Sequence, residues 1–378
     1  MKLKRAVAWF SAALICIFGA GCGGCATEKS YAVNDYRTTM AFRDGFKILQ
    51  LTDLHLGIES DLQKQLDLVA SAVEKENPDL VVLTGDNFMY ASKAIVDNLT
   101  KTMNEVCKAQ TEAHPERLTK FAITYGNHDN QGDYHRYYCN SSVKKYAAKD
   151  GEERAQNKYA AFIDYEDDDL FGLTNYFIDL VDDRTASVNE VDVKYRLHII
   201  DSNTYTFMGT KYGYDVIHEE QLTHAQNIYQ NATVDKDYIG MAFFHIPFVQ
   251  YEEARLQYQA AENPALVGQG EFREGVLFPY TDNGSYHKLR AANILSFVVG
   301  HNHRNYGDVI YNAASANLAD KAIFSFGVKT TNQLYHDTDM LGYKVITLRD
   351  NMSQEAFVSI ENVNENFVNK TDGGEYYA

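Results

Sequence analysis

The sequence predicts an α/β protein in which two packed mixed β-sheets are flanked by helices. Strand, helix, strand, helix and strand alternate between residues 46 and 125, which is the βαβ pattern of a parallel sheet. Two later runs with strand-like alternation, Asn175–Leu180 and Lys194–Asp201, favour a second and more antiparallel sheet. In addition, several apolar runs end in histidine, aspartate or asparagine. Because open α/β sheets bind ligands at the carboxyl ends of their strands, this last pattern predicts a functional site.

Five apolar runs end in side chains that commonly bind metals. The runs and the residues that follow them are Phe46–Thr52 with Asp53-Leu54-His55, Leu80–Thr84 with Gly85-Asp86, Phe121–Tyr125 with Gly126-Asn127-His128-Asp129, Met241–Phe244 with His245, and Ile294–Val299 with Gly300-His301-Asn302-His303. One such pair alone is an ordinary strand followed by a turn. Five of them in one chain predict a metal site at a sheet edge.

Two amphipathic helices connect the first three runs. Apolar residues recur at helical spacing over residues 62–73, and this helix ends before Pro78. The same spacing recurs over residues 95–106. A further helix is expected near residues 218–229, before the run that ends at His245.

Two polar segments interrupt the alternation, at residues 130–170 and 251–290. We interpret both as surface insertions. For the first, a lid on the substrate side is the alternative, because it leaves the sheet directly after His128. Strand-like runs are expected at residues 322–327, 343–348 and 356–360. No internal repeat is visible, so we predict one catalytic domain over residues 45–362 and a polar tail over residues 363–378.

The N-terminus has the form of an export signal. Residues 1–5 are basic, and residues 6–20 form an apolar run of signal-peptide length that is short for a membrane span. The small residues before Cys22 resemble a bacterial lipoprotein cleavage site, at which Cys22 would become the lipidated first residue. Ordinary secretion with cleavage a few residues later is the alternative. We expect residues 1–25 to be the signal peptide and residues 26–44 a tether. The protein would then be exported, as a cell-surface or periplasmic lipoprotein or as a secreted protein.

Charge and cysteine content narrow the remaining possibilities. The formal net charge is −17, which argues against a broad nucleic-acid surface because such a surface needs a basic stripe. Phosphate-ester substrates remain compatible with this charge, since bound metal ions supply local positive charge. Beyond residue 25 the cysteines are Cys107 and Cys139. In an oxidising compartment they could form a disulfide, and two buried free thiols are the alternative.

The five segments, taken in order, resemble the motif blocks of the calcineurin-like metallophosphoesterase superfamily. The resemblance covers about residues 45–350. Within the superfamily, the chain is most similar to the bacterial and fungal branch grouped near the purple acid phosphatases, with an Asp-x-His first block. The resemblance implies a metallophosphoesterase-type four-layer fold, with two packed mixed sheets between layers of helices.

The resemblance also implies a role for each motif residue. It makes Asp86 the carboxylate that bridges two metal ions about 3.5–4 Å apart. One site would be completed by Asp53, His55 and His303, and the other by Asn127, His245 and His301. His128 would be the catalytic residue that assists the leaving group. These oxygen and nitrogen ligands suit Mn, Fe or Zn.

One position departs from the purple acid phosphatases themselves. Those enzymes have a tyrosine ligand shortly after the Gly-Asp block and lack a histidine in the first block. Here His55 is present, the position that matches the tyrosine is Met89, and Tyr90 comes one residue later. We therefore expect no tyrosinate-to-iron charge-transfer colour.

The function that the resemblance implies is hydrolysis of phosphate mono- or diesters by attack of a metal-bridged hydroxide. Two alternatives remain at this point. One is a metal-dependent nuclease or nucleotidase of the same superfamily, although the acidic charge and the export signal count against a nuclease. The other is a catalytically inactive surface lipoprotein that binds a partner, against which the complete ligand set and His128 count.

Overall fold

The computed structural model describes residues 33–58, 61–132, 136–165, 170–182, 192–231 and 237–371. The predicted signal peptide with Cys22 and the acidic run 166–169 lie outside these ranges. From Ala32 onward the chain forms one compact unit. Within the described ranges, no helix combines the length and the apolar character needed to cross a bilayer.

The described chain contains fifteen strands and nine α-helices. The strands are β1 (Arg37–Ala41), β2 (Phe46–Leu51), β3 (Leu80–Thr84), β4 (Lys120–Thr124), β5 (Asn175–Val181), β6 (Val193–Ile200), β7 (Tyr205–Met208), β8 (Lys211–Tyr214), β9 (Ile239–Phe243), β10 (Gly268–Phe272), β11 (Ile294–Val299), β12 (Asn305–Tyr311), β13 (Ala322–Phe326), β14 (Gly342–Leu348) and β15 (Phe367–Thr371). The helices are α1 (Leu62–Glu76), α2 (Lys93–Ala113), α3 (Arg136–Lys144), α4 (Glu153–Gln156), α5 (Glu219–Asn231), α6 (Gln250–Ala260), α7 (Ser285–Ala291), α8 (Gln354–Phe357) and α9 (Ile360–Asn366). Short 3₁₀ turns occur at Val33–Tyr36, Pro264–Leu266, Leu318–Asp320 and Thr338–Met340.

Two mixed sheets form the centre of the fold, as predicted. The five-stranded sheet has the order β15-β14-β2-β3-β4, and β2, β3 and β4 are parallel to one another. The eight-stranded sheet has the order β1-β5-β6-β9-β11-β13-β12-β10. Its central strands β6, β9, β11 and β13 are parallel, whereas β5 and β6 form the predicted antiparallel pair.

Apolar side chains fill the space between these layers. One buried cluster joins α1, α2, the five-stranded sheet and the facing side of the eight-stranded sheet. A second cluster lies between the other side of the eight-stranded sheet and the helices α5, α6 and α7. The strand β3 is buried along its whole length, which explains its uninterrupted apolar sequence. The fold is therefore the predicted arrangement of packed mixed sheets flanked by helices.

The predicted tether is wrong in its second half. Arg37–Ala41 forms β1, an edge strand of the eight-stranded sheet, in which Thr38 and Met40 are buried. The Arg37 guanidinium pairs with the buried Asp179 carboxylate at 2.8 Å. An edge strand buries only alternate side chains, and the polar residues at the other positions made this segment look like a tether.

The predicted polar tail is wrong up to Thr371. Helix α9 and strand β15 cover this stretch, and β15 pairs with β14. Their buried residues Val363 and Phe367 anchor them in the main core. The strand expected at residues 356–360 is also wrong, because Ser353 caps a short helix there by accepting a hydrogen bond from Ala356 N.

The two predicted insertions are parts of the packed structure. In the segment 130–170, Cys139, Val143 and Phe162 are buried in the main core, and residues near Ala160 bridge to β4. This segment is therefore not the solvated surface insertion that its polar composition predicted. The segment 251–290 contributes β10, which is an edge strand of the eight-stranded sheet.

The two cysteines of the described chain do not form a disulfide, which agrees with the alternative of two buried free thiols. Cys107 and Cys139 are free thiols, and both are buried. Burial raises the pKa of both thiols, because the thiolate is disfavoured away from water.

A buried ion pair connects the two sheets. The Lys344 ammonium of β14 donates hydrogen bonds to Asp308 Oδ1 of β12 at 2.6 Å and to Ser325 Oγ of β13 at 2.6 Å. Both charged side chains are completely buried. We expect Asp308→Ala to lower the free energy of unfolding by about 3–5 kcal/mol, because it leaves the Lys344 charge unpaired.

Urea unfolding monitored by circular dichroism measures this effect. Glu105→Ala is the matched control, since Glu105 pairs with Lys101 in the solvent at 3.6 Å and should cost less than about 1 kcal/mol. A loss below about 1 kcal/mol for Asp308→Ala would contradict the role assigned to the pair.

His198 makes stability depend on pH. Its ring is buried, and burial together with the nearby Arg196 lowers its pKa to about 3. The unfolded chain binds this proton near pH 6.5, so stability falls as the pH drops from about 6.5 towards 3. His198→Leu should flatten the stability profile, by about 2 kcal/mol between pH 6.5 and pH 5. Urea midpoints at the two pH values test this. The partly exposed His114 supplies the control His114→Leu, which should keep the wild-type slope.

Candidate dinuclear metal centre

The five predicted metal-binding segments meet at one edge of the molecule. Three follow the parallel strands β2, β3 and β4 of the five-stranded sheet, and two follow the parallel strands β9 and β11 of the eight-stranded sheet. The two sheets are in direct contact here, since Gln50 Nε2 of β2 donates to the carbonyl oxygen of Val299 in β11 at 3.0 Å. The seven predicted ligands are all buried: Asp53, His55, Asp86, Asn127, His245, His301 and His303.

Asp86 lies at the centre of this cluster. Its Oδ2 is 3.2 Å from His55 Nε2 and 3.1 Å from His245 Nε2, while Oδ1 accepts a hydrogen bond from the backbone N–H of His128 at 2.8 Å. Burial opposes ionisation of this carboxyl, but the neighbouring His245 and His55 outweigh it and hold its pKa well below the usual range. Asp86 is therefore a carboxylate that faces histidines from both sheets.

The remaining acidic and histidine side chains divide into two groups that share Asp86. In the first group, the donor atoms of Asp53, His55, Asp86 and His303 lie within 4.8 Å of one another. In the second group, Asp86, His245 and His301 meet the same limit. This division separates the two histidines of the Gly300–His303 segment, as the motif resemblance implies.

Asn127 adds a buried amide in the loop after β4, next to His128, whose backbone N–H donates to Asp86. The Nδ2 of Asn127 donates a hydrogen bond to the hydroxyl oxygen of Tyr205 at 2.8 Å. Its Oδ1 is buried and has no hydrogen-bond partner within the described residues. The Tyr205 contact thus orients the amide and leaves its oxygen available as a ligand.

Other donor atoms of the cluster also lack a hydrogen bond of good geometry within the part of the chain that the structure describes: Asp53 Oδ1, His55 Nε2 and His301 Nε2. The polar neighbours of the first two are other members of the cluster, His303 Nε2 at 3.3 Å from Asp53 Oδ1 and Asp86 Oδ2 at 3.2 Å from His55 Nε2. A buried polar atom without a partner is costly, and native proteins rarely retain several together. These oxygen and nitrogen atoms fit two metal ions of the Mn, Fe or Zn type. The residues present therefore suit a dinuclear centre.

Backbone contacts hold the histidine rings in place. His245 Nδ1 lies 2.9 Å from the carbonyl oxygen of Thr84, and His303 Nδ1 lies 2.8 Å from the carbonyl oxygen of Tyr335. A ring that donates from Nδ1 presents the lone pair of Nε2 to a metal. The sequence motifs do not reveal the Tyr335 contact, because the loop after β13 carries no ligand of its own.

Lys329 is a further member of the site that sequence analysis missed. Its buried ammonium group lies 3.0 Å from the carbonyl oxygen of Asp53 and 3.2 Å from His55 Nδ1. Burial lowers its pKa to about 8, against the opposing effect of Asp53 and Asp86. A signal in the sequence was its position three residues after β13, a strand that is parallel to β11 and adjacent to it in the mixed eight-stranded sheet.

The backbone is strained at four of these residues. Asp53, His55, Asp86 and His301 have positive φ angles of 56°, 48°, 48° and 76°. Residues with side chains rarely adopt this region, and such strain is concentrated at functional sites. Each of these residues follows a strand end, where the turn directs its side chain into the cluster.

His128 lies at the rim of the cluster, and its side chain is about 20% exposed. Its Nε2 is 4.0 Å from Asp86 Oδ2, and its Nδ1 is 2.9 Å from Gln131 Oε1. Asp129, which could have oriented His128, instead accepts hydrogen bonds from the backbone N–H groups of Phe88 and Gly126 at 2.7 and 2.8 Å. Gln131, not Asp129, therefore positions the His128 ring.

The fold and this cluster define a two-sheet α/β protein with a candidate site for two metal ions. A family model described as calcineurin-like phosphoesterase matches residues 46–305, which is more than half of the chain. The chain belongs to the calcineurin-like phosphoesterase family.

Relatives identified by sequence include phosphatases. The chain is 29% identical to phosphatase DCR2 of Saccharomyces cerevisiae over 278 residues, which are 69% of this chain and 44% of that protein. The chain thus spans less than half the length of this relative. It is 26% identical over 299 residues to a probable inactive purple acid phosphatase 28 of Arabidopsis thaliana, covering 70% of this chain and 68% of that one.

Solved structures show weaker similarity. A dimetal phosphatase from Danio rerio has a TM-score of 0.42 at 14% identity and covers 82% of this chain and 94% of its own. GAP50, described as the anchor in the inner membrane complex of Plasmodium, has a TM-score of 0.43 at 14% identity and covers 89% and 94%. At these scores they add nothing about function.

The departure from purple acid phosphatases is visible in the structure. Tyr90 is 62% exposed, whereas the seven candidate ligands are all buried. His55, which those enzymes lack, lies within the first group.

Close packing around Asp86 leaves no space for a side chain at Gly126. A Cβ atom at Gly126 would lie 2.5 Å from Asp86 N and 2.6 Å from His245 Cδ2. We expect Gly126→Ala to displace both side chains, to lower bound metal, and to lower the free energy of unfolding by about 1–3 kcal/mol.

Metal analysis by mass spectrometry and urea unfolding measure these effects. Gly275→Ala is the control, because a Cβ at the exposed Gly275 meets no atom within 4 Å. Unchanged metal content in Gly126→Ala would contradict the placement of Asp86 at the centre.

Proposed function

We propose that the protein is an exported phosphoesterase that uses two metal ions to hydrolyse small phosphate mono- or diesters. The observation that carries this proposal is the sharing of Asp86 by two groups of buried donor atoms. Two nearby dications repel one another, so a dinuclear site needs a carboxylate between them.

In the proposed assignment, each group holds one metal ion. Asp53, His55 and His303 would bind the first ion, Asn127, His245 and His301 would bind the second, and Asp86 would bind both. When bound, the two ions would supply Lewis acidity towards the phosphate and lower the pKa of bound water. The donor set accepts Mn, Fe or Zn, and the chemistry does not select among them.

The chain's own residues would position the ester and handle the proton. His128 stands at the open side of the cluster, with Nδ1 held by Gln131 and Nε2 directed towards Asp86. Since Gln131 Oε1 accepts from Nδ1, a protonated His128 presents its second N–H to the site. We assign this proton to the oxygen of the leaving group as the P–O bond breaks.

The proposal includes the location of the protein outside the cytoplasm. The basic, apolar and small-residue pattern of residues 1–25 supports export, with membrane attachment through a lipidated Cys22 as the more specific form. The net charge of −17 supports small-molecule or protein-borne esters over nucleic acid.

Hydrolysis of two monoesters by the metal-loaded protein tests the proposal. With the purified protein loaded with Mn or Zn, we expect His128→Ala to lower kcat for benzyl phosphate by about 10²–10⁴-fold. The loss should be smaller for p-nitrophenyl phosphate, because p-nitrophenolate leaves without needing a proton. Bound metal should be unchanged, since His128 is not among the proposed ligands.

Two controls complete the experiment. His114→Ala replaces a partly exposed histidine directly after α2, outside the candidate site, and should behave as wild type. Bis-p-nitrophenyl phosphate shows whether diesters are also substrates. A metal-loaded protein that hydrolyses none of these esters would overturn the proposal in favour of a binding role.

A further inference from the structure

A short hairpin next to the metal centre presents four aromatic rings on one face. Strands β7 and β8 pair only with each other and belong to neither large sheet. Their register places Tyr205 opposite Tyr214 and Phe207 opposite Tyr212. Because side chains alternate along a strand, these four rings lie on the same face of the hairpin.

The inner end of this aromatic face contacts two candidate ligands. The Tyr214 ring packs edge-on against the His301 ring with centroids 4.5 Å apart. The Tyr205 hydroxyl accepts the hydrogen bond from Asn127. The face therefore begins at the metal centre itself.

The outer end of the face extends away from the centre into solvent. Tyr212 stacks on Tyr205 with centroids 5.2 Å apart, and Phe207 lies 6.4 Å from Tyr212. Phe207 is 67% exposed and Tyr212 is 62% exposed. Two residues of strand span about 7 Å, so the outer rings lie roughly one ring beyond the ligands.

The opposite face of the hairpin packs on the protein. A Cβ at Gly213 would lie 2.5 Å from the Tyr280 ring, and the Lys211 ammonium lies 5.6 Å from the centre of the same ring. This packing fixes which face of the hairpin is free. It also places the positive charge of Lys211 on the face away from the four rings.

We propose that this aromatic face is the subsite for a planar ring in the organic part of the phosphate ester. The inference rests on the proposed function and names its substrate class. An ester whose phosphate lies at the two groups of ligands would place its organic part along the adjoining rings, where a flat ring can stack. The face offers no charge for a second phosphate, which favours a ring over a polyphosphate chain. The ring could be an aryl group or a nucleobase.

Matched ester pairs test the subsite. Benzyl and propyl phosphate both release primary alcohols, so they differ mainly in the ring. Adenosine 5′-phosphate and ribose 5-phosphate form the second pair, which distinguishes a nucleobase from an aryl group. The measured quantity is the ratio of kcat/KM within each pair. We expect the metal-loaded wild-type protein to prefer the ring-bearing member of at least one pair by about tenfold or more.

Variants on the two faces of the hairpin supply the comparison. Phe207→Ala and Tyr212→Ala should each reduce the preference by about tenfold, whereas Tyr212→Phe retains a ring and should preserve it. Thr206→Ala lies on the opposite face and is the matched control, which should keep the wild-type ratio. Circular dichroism checks that each variant is folded. Both alanine positions are exposed, so folding should be intact.

The outcomes separate failure of the subsite from failure of the proposed function. A wild-type ratio near one in both pairs, or ratios that the alanine variants leave unchanged, would overturn the subsite while hydrolysis stands. If no ester is hydrolysed, calorimetric binding of benzylphosphonate and propylphosphonate to the metal-loaded protein decides the subsite alone. A preference for benzylphosphonate that Phe207→Ala removes would support it, and equal affinities would overturn it.

Discussion

The site depends on one buried carboxylate, Asp86, that is shared by donor groups from two sheets. The surrounding histidines keep it ionised despite burial, and the backbone N–H of His128 holds its second oxygen. Gly126 approaches Asp86 so closely that a Cβ at Gly126 would overlap Asp86 Oδ1. The other donor atoms surround this same carboxylate, which indicates that they form one shared binding site. Without metal ions these buried atoms lack hydrogen bonds of good geometry, and coordination to two metal ions would supply partners for them.

This convergence requires that the two sheets keep their alignment. One sheet contributes Asp53, His55, Asp86 and Asn127, and the other contributes His245 and the His301–His303 segment. The buried Lys344–Asp308 pair and the apolar core between the sheets maintain that alignment. The strained backbone at the strand ends is tolerated because the packed strands on either side leave no alternative conformation. Stability of the fold and geometry of the site are therefore coupled. The proposed protonation of the leaving group depends instead on His128, and the proposed binding of a substrate ring depends on the exposed hairpin of β7 and β8.

Strongly apolar strands were predictable, and edge strands were not. Leu80–Thr84 is buried on both faces, so its sequence is apolar throughout and its boundaries were predicted correctly. Arg37–Ala41 and Phe367–Thr371 lie at sheet edges. Burial alternates along the first strand, and in the second only Phe367 is fully buried. Their composition resembles that of a tether or a tail, and only their partners β5 and β14 make them strands. The segment 130–170 was misjudged for the same reason, since its few apolar residues are the ones that pack on the core.

The sequence by itself determined which residue types follow which strands, and hence the seven candidate ligands, His128 and the family. These features are local, because a strand and the turn after it are contiguous in the chain. The motif resemblance also implied how the donors divide around Asp86. Only the tertiary structure decided that Lys329 contacts His55 from 274 positions away. Only the tertiary structure likewise showed that Tyr205 contacts Asn127 and that Tyr214 contacts His301. Such contacts arise from the packing of sheets and loops that are distant in sequence, and no local pattern encodes them.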